Sequence, residues 1–244
     1  MCSSGVWAGA IPLSTAHSLS FINAENATQK SELERIGYLG SIPASFEYNS
    51  IGEHFELHIE QGPILEASNS KIGAVAGAQA YKWFTITVHG RDCHTGTTDF
   101  ENRSDALLTA SKMIVHSHNR ATDLGCLAST GILSLKPGST NTVPGFVSFS
   151  LDIRRHEDAK VEKLENVLKM EFEAIAKGET VDMINTKGTR GGVYSVVWRL
   201  DSDTKATKFD EDCIRCVENS ARALLGDQFK KQARRMTSGA GHDR

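Results

Sequence analysis

Phe146-Val147-Ser148-Phe149-Ser150-Leu151-Asp152-Ile153-Arg154 is the stretch from which the fold can be read. Val147, Phe149, Leu151 and Ile153 alternate with polar residues, the period of a strand with one buried face. Downstream, Val161, Leu164, Leu168, Phe172 and Ile175 fall on one stripe, which predicts a helix over 158–177. Gly178 suits the left-handed residue that follows a helix end. Val181 to Ile184 and Val193 to Leu200 read as strand, with the glycines between them marking a bend or bulge.

Upstream, Pro137-Gly138 is a turn signal and Ser129 to Leu135 reads as a strand. A helix is predicted from about Ser104, with Ala106, Leu107, Ala110, Met113 and Ile114 at helical spacing. A polar loop, Gly90 to Asn102, precedes it, and Trp83-Phe84-Thr85-Ile86-Thr87-Val88 has the β-branched and aromatic content of a strand. Residues 80–200 thus run strand, helix, strand, strand, helix, strand. That is the βαββαβ order of a ferredoxin-like α+β sandwich, its helices covering one face of an antiparallel sheet. The expected architecture is an α/β chain in which this module interrupts a second domain made of residues 1–79 and 201–244.

In the flanking regions, Ser31 to Glu34 can open a short helix and Ile72 to Val75 is a short apolar run. Phe55, Leu57 and Ile59 alternate with Glu56, His58 and Glu60, which predicts another strand, ended by Gln61-Gly62-Pro63. Phe209 to Leu225 reads as a helix carrying Cys213, Ile214, Val217, Ala221 and Leu224 on one side, and a glycine-rich loop, 238–244, follows. Cys213 and Cys216 have C-x-x-C spacing, but no second pair completes a zinc site, so they read as two helix residues.

Composition excludes several classes. With 39% hydrophobic and 23% charged residues the chain is an ordinary globular one. No stretch approaches the roughly 18 apolar residues that span a bilayer, so no membrane partner is expected. The net charge of −3, with basic residues dispersed, carries no nucleic-acid footprint. Five scattered cysteines argue against a disulfide framework and for a cytoplasmic setting, and the first residues lack the pattern of a secretory signal.

Four clusters have residue types suited to chemistry. Glu56, His58 and Glu60 are ligand types for zinc or manganese, or else a solvated strand face. His94, in Asp92-Cys93-His94-Thr95-Gly96-Thr97-Thr98, can donate to a developing oxyanion, or sits on a surface loop. Two prolines and two glycines pin the loop of Asn141, which suits a held amide or an ordinary long turn. Arg154 leaves an apolar strand and can grip a carboxylate through two parallel hydrogen bonds, or pair with Asp152 or Glu157.

Taken in order, these motifs resemble one family. Phe55-Glu56-Leu57-His58-Ile59-Glu60-Gln61-Gly62-Pro63-Ile64-Leu65-Glu66 is similar to the metal-ligand segment of the N-carbamoyl-L-amino-acid hydrolases, a group that includes β-ureidopropionases and allantoate amidohydrolases. These are relatives of the dinuclear zinc aminoacylases and carboxypeptidases. The similarity continues through residues 90–98, Arg103 to Ala106, Asn141 to Gly145, Leu151 to Arg154 and Ser238 to Asp243. The resemblance implies a zinc-peptidase-like catalytic domain interrupted by a lid and dimerisation domain over 80–200, working as a homodimer on a small N-carbamoyl or ureido substrate.

Residue by residue, the resemblance makes His58 a metal ligand. It makes His94 the group that polarises the scissile carbonyl, reaching into the partner's site. It assigns Asn141 and Arg154 to the substrate carboxylate, and Gly239, Gly241, His242 and Gln61 to further substrate contacts. Two divalent metals, zinc or manganese, would activate the water. The family's other ligands (a histidine, a bridging aspartate, a glutamate beside the general base and a final histidine) have no counterpart here. A truncated chain with a weak or incomplete metal site, inactive alone, is therefore expected. A non-catalytic dimerising or ligand-binding protein, and an aminoacylase or peptidase, are the alternatives.

Overall fold

The structure is a computed structural model, and it describes residues 2–21, 24–179, 181 and 192–239. The chain divides into two compact units, one of residues 1–76 with 209–236, the other of 77–208 with 237–239.

The second unit contains β1 (Ala80–His89), α1 (Ala106–Asp123), β2 (Leu127–Ser129), β3 (Leu133–Lys136), β4 (Phe146–Arg155), α2 (Asp158–Ala176) and β5 (Ser195–Thr204). The sheet order is β5-β1-β4-β2, with β3 also paired to β4, and every pairing is antiparallel. This is the ferredoxin-like βαββαβ arrangement expected from the sequence, with its second strand split in two. The split falls at Gly131 and Ile132, whose N–H groups turn to the Ser150 hydroxyl at 3.1 and 3.0 Å instead of continuing the ladder.

β4 is the spine. It pairs with β1 without interruption from Ala80 opposite Arg155 to His89 opposite Phe146. Val147, Phe149, Leu151 and Ile153 are all at most 1% exposed, beneath α1 and α2. α2 lays Val161, Leu164, Leu168, Phe172 and Ile175 onto them, each at most 2% exposed. It ends at Lys177, and Gly178 follows at φ 80°, a left-handed conformation that glycine adopts without a side-chain clash. α1 begins where the Asp105 carboxylate accepts the Leu108 N–H at 2.9 Å.

Polar groups that periodicity does not mark are buried between the helices. His116 is 0% exposed, and its Nε2 lies 2.6 Å from Glu171 Oε2. The Arg120 guanidinium donates to both oxygens of the same carboxylate. Burial pushes the Glu171 carboxyl up, but the hydrogen bonds from Arg120 and His116 outweigh it and hold the group below its ordinary 4.5.

Under α2, the Lys82 ammonium reaches Glu165 at 2.7 Å and Asp203 at 3.2 Å. Between Leu200 and Ser202 the β5–β1 register shifts by one residue, a bulge centred on Asp201. The Asp201 carboxylate accepts from the Thr85 hydroxyl at 2.6 Å and from Arg199 Nε at 2.7 Å.

The first unit holds short helices, Cys2–Trp7, Leu13–Ser18, Gln29–Arg35 and Ile64–Ala67, and a longer one, Glu211–Leu225. Gln29–Arg35 begins with a reciprocal cap between Thr28 and Ser31. Cys213 and Cys216 both lie on Glu211–Leu225 and are free thiols.

The strand predicted over Phe55 to Ile59 does not form. Its backbone finds no neighbouring strand among the described residues, and Phe55, Leu57 and Ile59 are 55%, 102% and 76% exposed. Alternation marks two faces, but a strand also needs a partner for its N–H and C=O groups. The strand predicted over Val181 to Ile184 lies, apart from Val181, outside the described residues.

Candidate functional site

The candidate residues sort into two clusters in the second unit, with two more on the irregular segment of the first. His94 and Asn141 form one cluster. Beyond β1 the chain makes a short bridge, Cys93–His94, paired with Thr142–Val143 so that His94 stands opposite Thr142. The Thr95 N–H donates to the Asn141 carbonyl at 3.0 Å. The turn after His94 is closed by Thr98 N–H to His94 carbonyl, and Arg103 holds it, donating to the Thr95 carbonyl at 2.7 Å and the Thr98 carbonyl at 3.0 Å.

The His94 ring is exposed, and its Nδ1 lies 3.0 Å from the Gly96 N–H. The Asn141 amide oxygen accepts from the Ser139 hydroxyl at 2.8 Å, so the donor that the side chain can offer is its amide nitrogen. The pinned loop backs onto Asp92, whose carboxylate takes the Gly145 N–H at 2.6 Å. A Cβ on Gly145 would sit 2.7 Å from the Asp92 nitrogen, so only glycine allows this approach.

Arg154 and Gly239 form the other cluster. Arg154 donates through Nε and Nη2 to Asp152, with Nη2 at 2.6 Å, and through Nη1 to the Gly239 carbonyl at 2.8 Å. The guanidinium lies over the Tyr81 ring, 5.1 Å from its centroid. Gln79, 7% exposed, donates to the same Gly239 carbonyl at 3.2 Å. The hydrogen bonds to Asp152 raise the Arg154 pKa further, against burial, so the charge is permanent. A guanidinium has five N–H donors, and these partners leave one on each Nη for a ligand carboxylate.

Arg154 therefore pairs with Asp152 and still keeps a fork. Glu157 pairs instead with Arg155 and Lys160. Gln79 and Tyr81 join the Arg154 cluster through tertiary proximity, which no local pattern reports, whereas Arg103 and Ser139 are near neighbours in the chain of the groups they hold.

The two clusters do not meet within the chain. Arg154 stands opposite Tyr81 at one end of the β1–β4 ladder, while the His94 loop leaves from the other end, past His89 opposite Phe146. From Tyr81 to His89, at about 3.4 Å per residue, the ladder spans about 27 Å. One small ligand cannot bridge that distance.

His58 and Gln61 lie on the exposed segment of the first unit. The His58 ring contacts the Ile59 carbonyl through Nδ1. Glu60 is used locally, accepting the N–H groups of Ile64 and Leu65 at 2.8 and 2.7 Å at the start of helix Ile64–Ala67. No group of three or more His, Cys, Asp or Glu able to hold a metal occurs among the described residues. Gly241 and His242 lie outside the described residues.

Residues 77–180 match the peptidase dimerisation domain, which defines the class of the second unit. Along its whole length the chain is similar to the N-carbamoyl-L-amino-acid amidohydrolase of Rhizobium meliloti, with 31% identity over 245 residues covering 100% of this chain and 54% of the relative. The allantoate amidohydrolase of Escherichia coli is 28% identical over 77% of this chain and 42% of its own length. Among solved structures, an amidase of the hydantoinase/carbamoylase family from Burkholderia multivorans superposes with a TM-score of 0.77 at 32% identity, covering 99% of this chain and 54% of that one. The similarity to N-carbamoyl-L-amino-acid amidohydrolases thus runs from end to end, and that to allantoate amidohydrolases over about three quarters of the chain. The chain spans about half the length of the relatives it matches.

Proposed function

We propose that this chain belongs to the machinery of a hydrolase acting on C–N bonds other than peptide bonds, one that removes the carbamoyl group from N-carbamoyl amino acids. The observation that carries the reading is the whole-length similarity to N-carbamoyl-L-amino-acid amidohydrolases. The substrate is a small N-carbamoyl or ureido acid, and the working unit is a homodimer formed through residues 80–200. No described helix is long and apolar enough to cross a membrane, and the free cysteines suit a reducing compartment such as the cytoplasm.

In this reading the chain's own residues bind and orient. Arg154 grips the substrate carboxylate through its free fork. His94 donates from Nε2 to the carbonyl oxygen of the carbamoyl group, and Asn141 donates from its amide. The ladder keeps these ends about 27 Å apart, so one site combines Arg154 of one protomer with His94 and Asn141 of the other.

The family's pair of divalent metals, zinc or manganese, would supply an activated water. The described residues do not fit such a pair, because no three or more His, Cys, Asp or Glu come together among them to hold a metal. The chain alone is expected to bind metal weakly and to release no ammonia from N-carbamoyl-β-alanine.

Calorimetry with an N-carbamoyl amino acid tests the binding half. Arg154→Met is expected to weaken binding at least about tenfold, or 1.4 kcal/mol. His94→Ala should weaken it as well. A mixed dimer of the two variants should regain one tight site per dimer, because one interface then holds both intact residues. Mixed dimers as weak as either parent would sink the two-protomer site. Binding without ammonia release, with zinc or manganese added, would favour the second reading, a dimeric ligand-binding protein.

A further inference from the structure

We propose that the Gly96 N–H, held in place by the Arg103 clamp, locks His94 in the neutral tautomer protonated on Nε2. The proposal rests on the donor role of His94 given above, and it assigns Gly96 and Arg103 as positioning residues for that role.

The geometry is local and specific. A backbone amide always has its proton, so a Gly96 nitrogen 3.0 Å from His94 Nδ1 requires a lone pair on Nδ1. In the other tautomer two N–H groups would confront each other. The hydrogen bond made by one ring nitrogen therefore decides what the other presents. With Nδ1 engaged, Nε2 bears the proton, and no described residue takes its hydrogen bond. The ring offers an N–H where a ligand oxygen gains negative charge; in the wrong tautomer a lone pair would repel that oxygen.

The Gly96 amide points at the ring because the turn is held at three carbonyls. Thr98 N–H takes the His94 carbonyl, and Arg103 takes those of Thr95 and Thr98. Thr95 N–H ties the same turn to Asn141. Arg103 also lies over the Phe100 ring, 4.8 Å from its centroid, which restrains the guanidinium from the other side. Lysine has one ammonium and no fork, so it cannot hold two carbonyls at fixed spacing.

Position 96 permits a clean pair of variants. A Cβ there would come 3.3 Å from His94 Cε1, a contact the exposed ring can relieve by a small shift, so Gly96→Ala keeps the donor. Gly96→Pro removes the N–H outright.

The test is ¹⁵N NMR on the unliganded 244-residue chain at a pH where the ring is neutral, with the His94 signals assigned by their disappearance in His94→Gln. The wild type is expected to show an unprotonated Nδ1, a protonated Nε2 and a scalar coupling across the hydrogen bond from the Gly96 amide to Nδ1. Gly96→Ala should retain all three. Gly96→Pro should lose the coupling and show a tautomer mixture, and Arg103→Lys should weaken the coupling and admit the second tautomer, with the signals of the β1–β4 ladder unmoved.

A wild-type ring protonated on Nδ1, or one without the coupling, overturns the lock. Coupling and tautomer unchanged in Arg103→Lys overturn the clamp. If Gly96→Pro does not fold, the wild type and the other two variants still decide the matter. No ligand or turnover is involved, so failure of the carbamoylase reading and failure of the lock are read separately.

Discussion

Phe172→Ala is expected to destabilise the second unit by about 3–5 kcal/mol, the usual cost of removing a fully buried phenylalanine. Phe172 is 0% exposed, and its ring joins two strands to the helix layer, 6.5 Å from Phe149 and 5.2 Å from Trp198 between centroids. Trp198 also meets Phe84 edge-on at 5.2 Å, so the four rings form one block and the hole left by alanine cannot close from any single side. The loss is a large part of the 5–15 kcal/mol that holds a typical domain together. Urea unfolding followed by tryptophan fluorescence reads it directly, since Trp198 lines the cavity. A shift below about 1 kcal/mol would mean that the ring block is not the centre of the core.

Glu171→Ala ranks next, at about 2–4 kcal/mol. It leaves His116, which is 0% exposed, without its carboxylate, whereas Arg120 is 25% exposed and can turn partly to water, which keeps the cost below that of a fully buried pair. The effect also depends on pH. The carboxyl is held below its ordinary 4.5 in the folded chain, so the unfolded chain takes up its proton first as the pH falls. The stabilisation is fully present above about pH 4.5 and is lost as the pH drops through the lower folded value. Wild type and variant should therefore differ most near neutrality and converge in acid. Coincident stability curves from neutral to low pH would show that the bridge contributes nothing.

What could be read in advance was whatever has a local period. Val147 to Ile153 and the stripe from Val161 to Ile175 are packing statements made by single elements, and the βαββαβ order follows once they are placed. Phe55 to Ile59 has an equally good period but no strand beside it, and pairing is a property of two segments. His116 lay hidden for the converse reason, since a polar residue on an apolar stripe becomes legible only with Glu171, 55 residues away. At the site, residue types pointed to His94, Asn141 and Arg154. The separation of the first two from the third, about 27 Å along the ladder, depends on which strands are neighbours, and Gly239 reaches Arg154 across 85 residues. Gly96 and Ser139 act through a backbone amide and a hydroxyl, groups too common to draw notice in a sequence.

The bulge at Asp201 decides the charge balance around Lys82. Carried on without the shift, the β5–β1 register would set Ser202, not Asp203, opposite Lys82 and turn Asp203 to the open face of the sheet. Two lysines, Lys82 and Lys169, would then compete for Glu165 alone. The extra residue brings a second carboxylate to Lys82, so two cations meet two anions, Lys82 and Glu165 largely buried and Lys169 and Asp203 open to solvent. A single added residue in an edge strand thus sets which carboxylate faces a largely buried lysine.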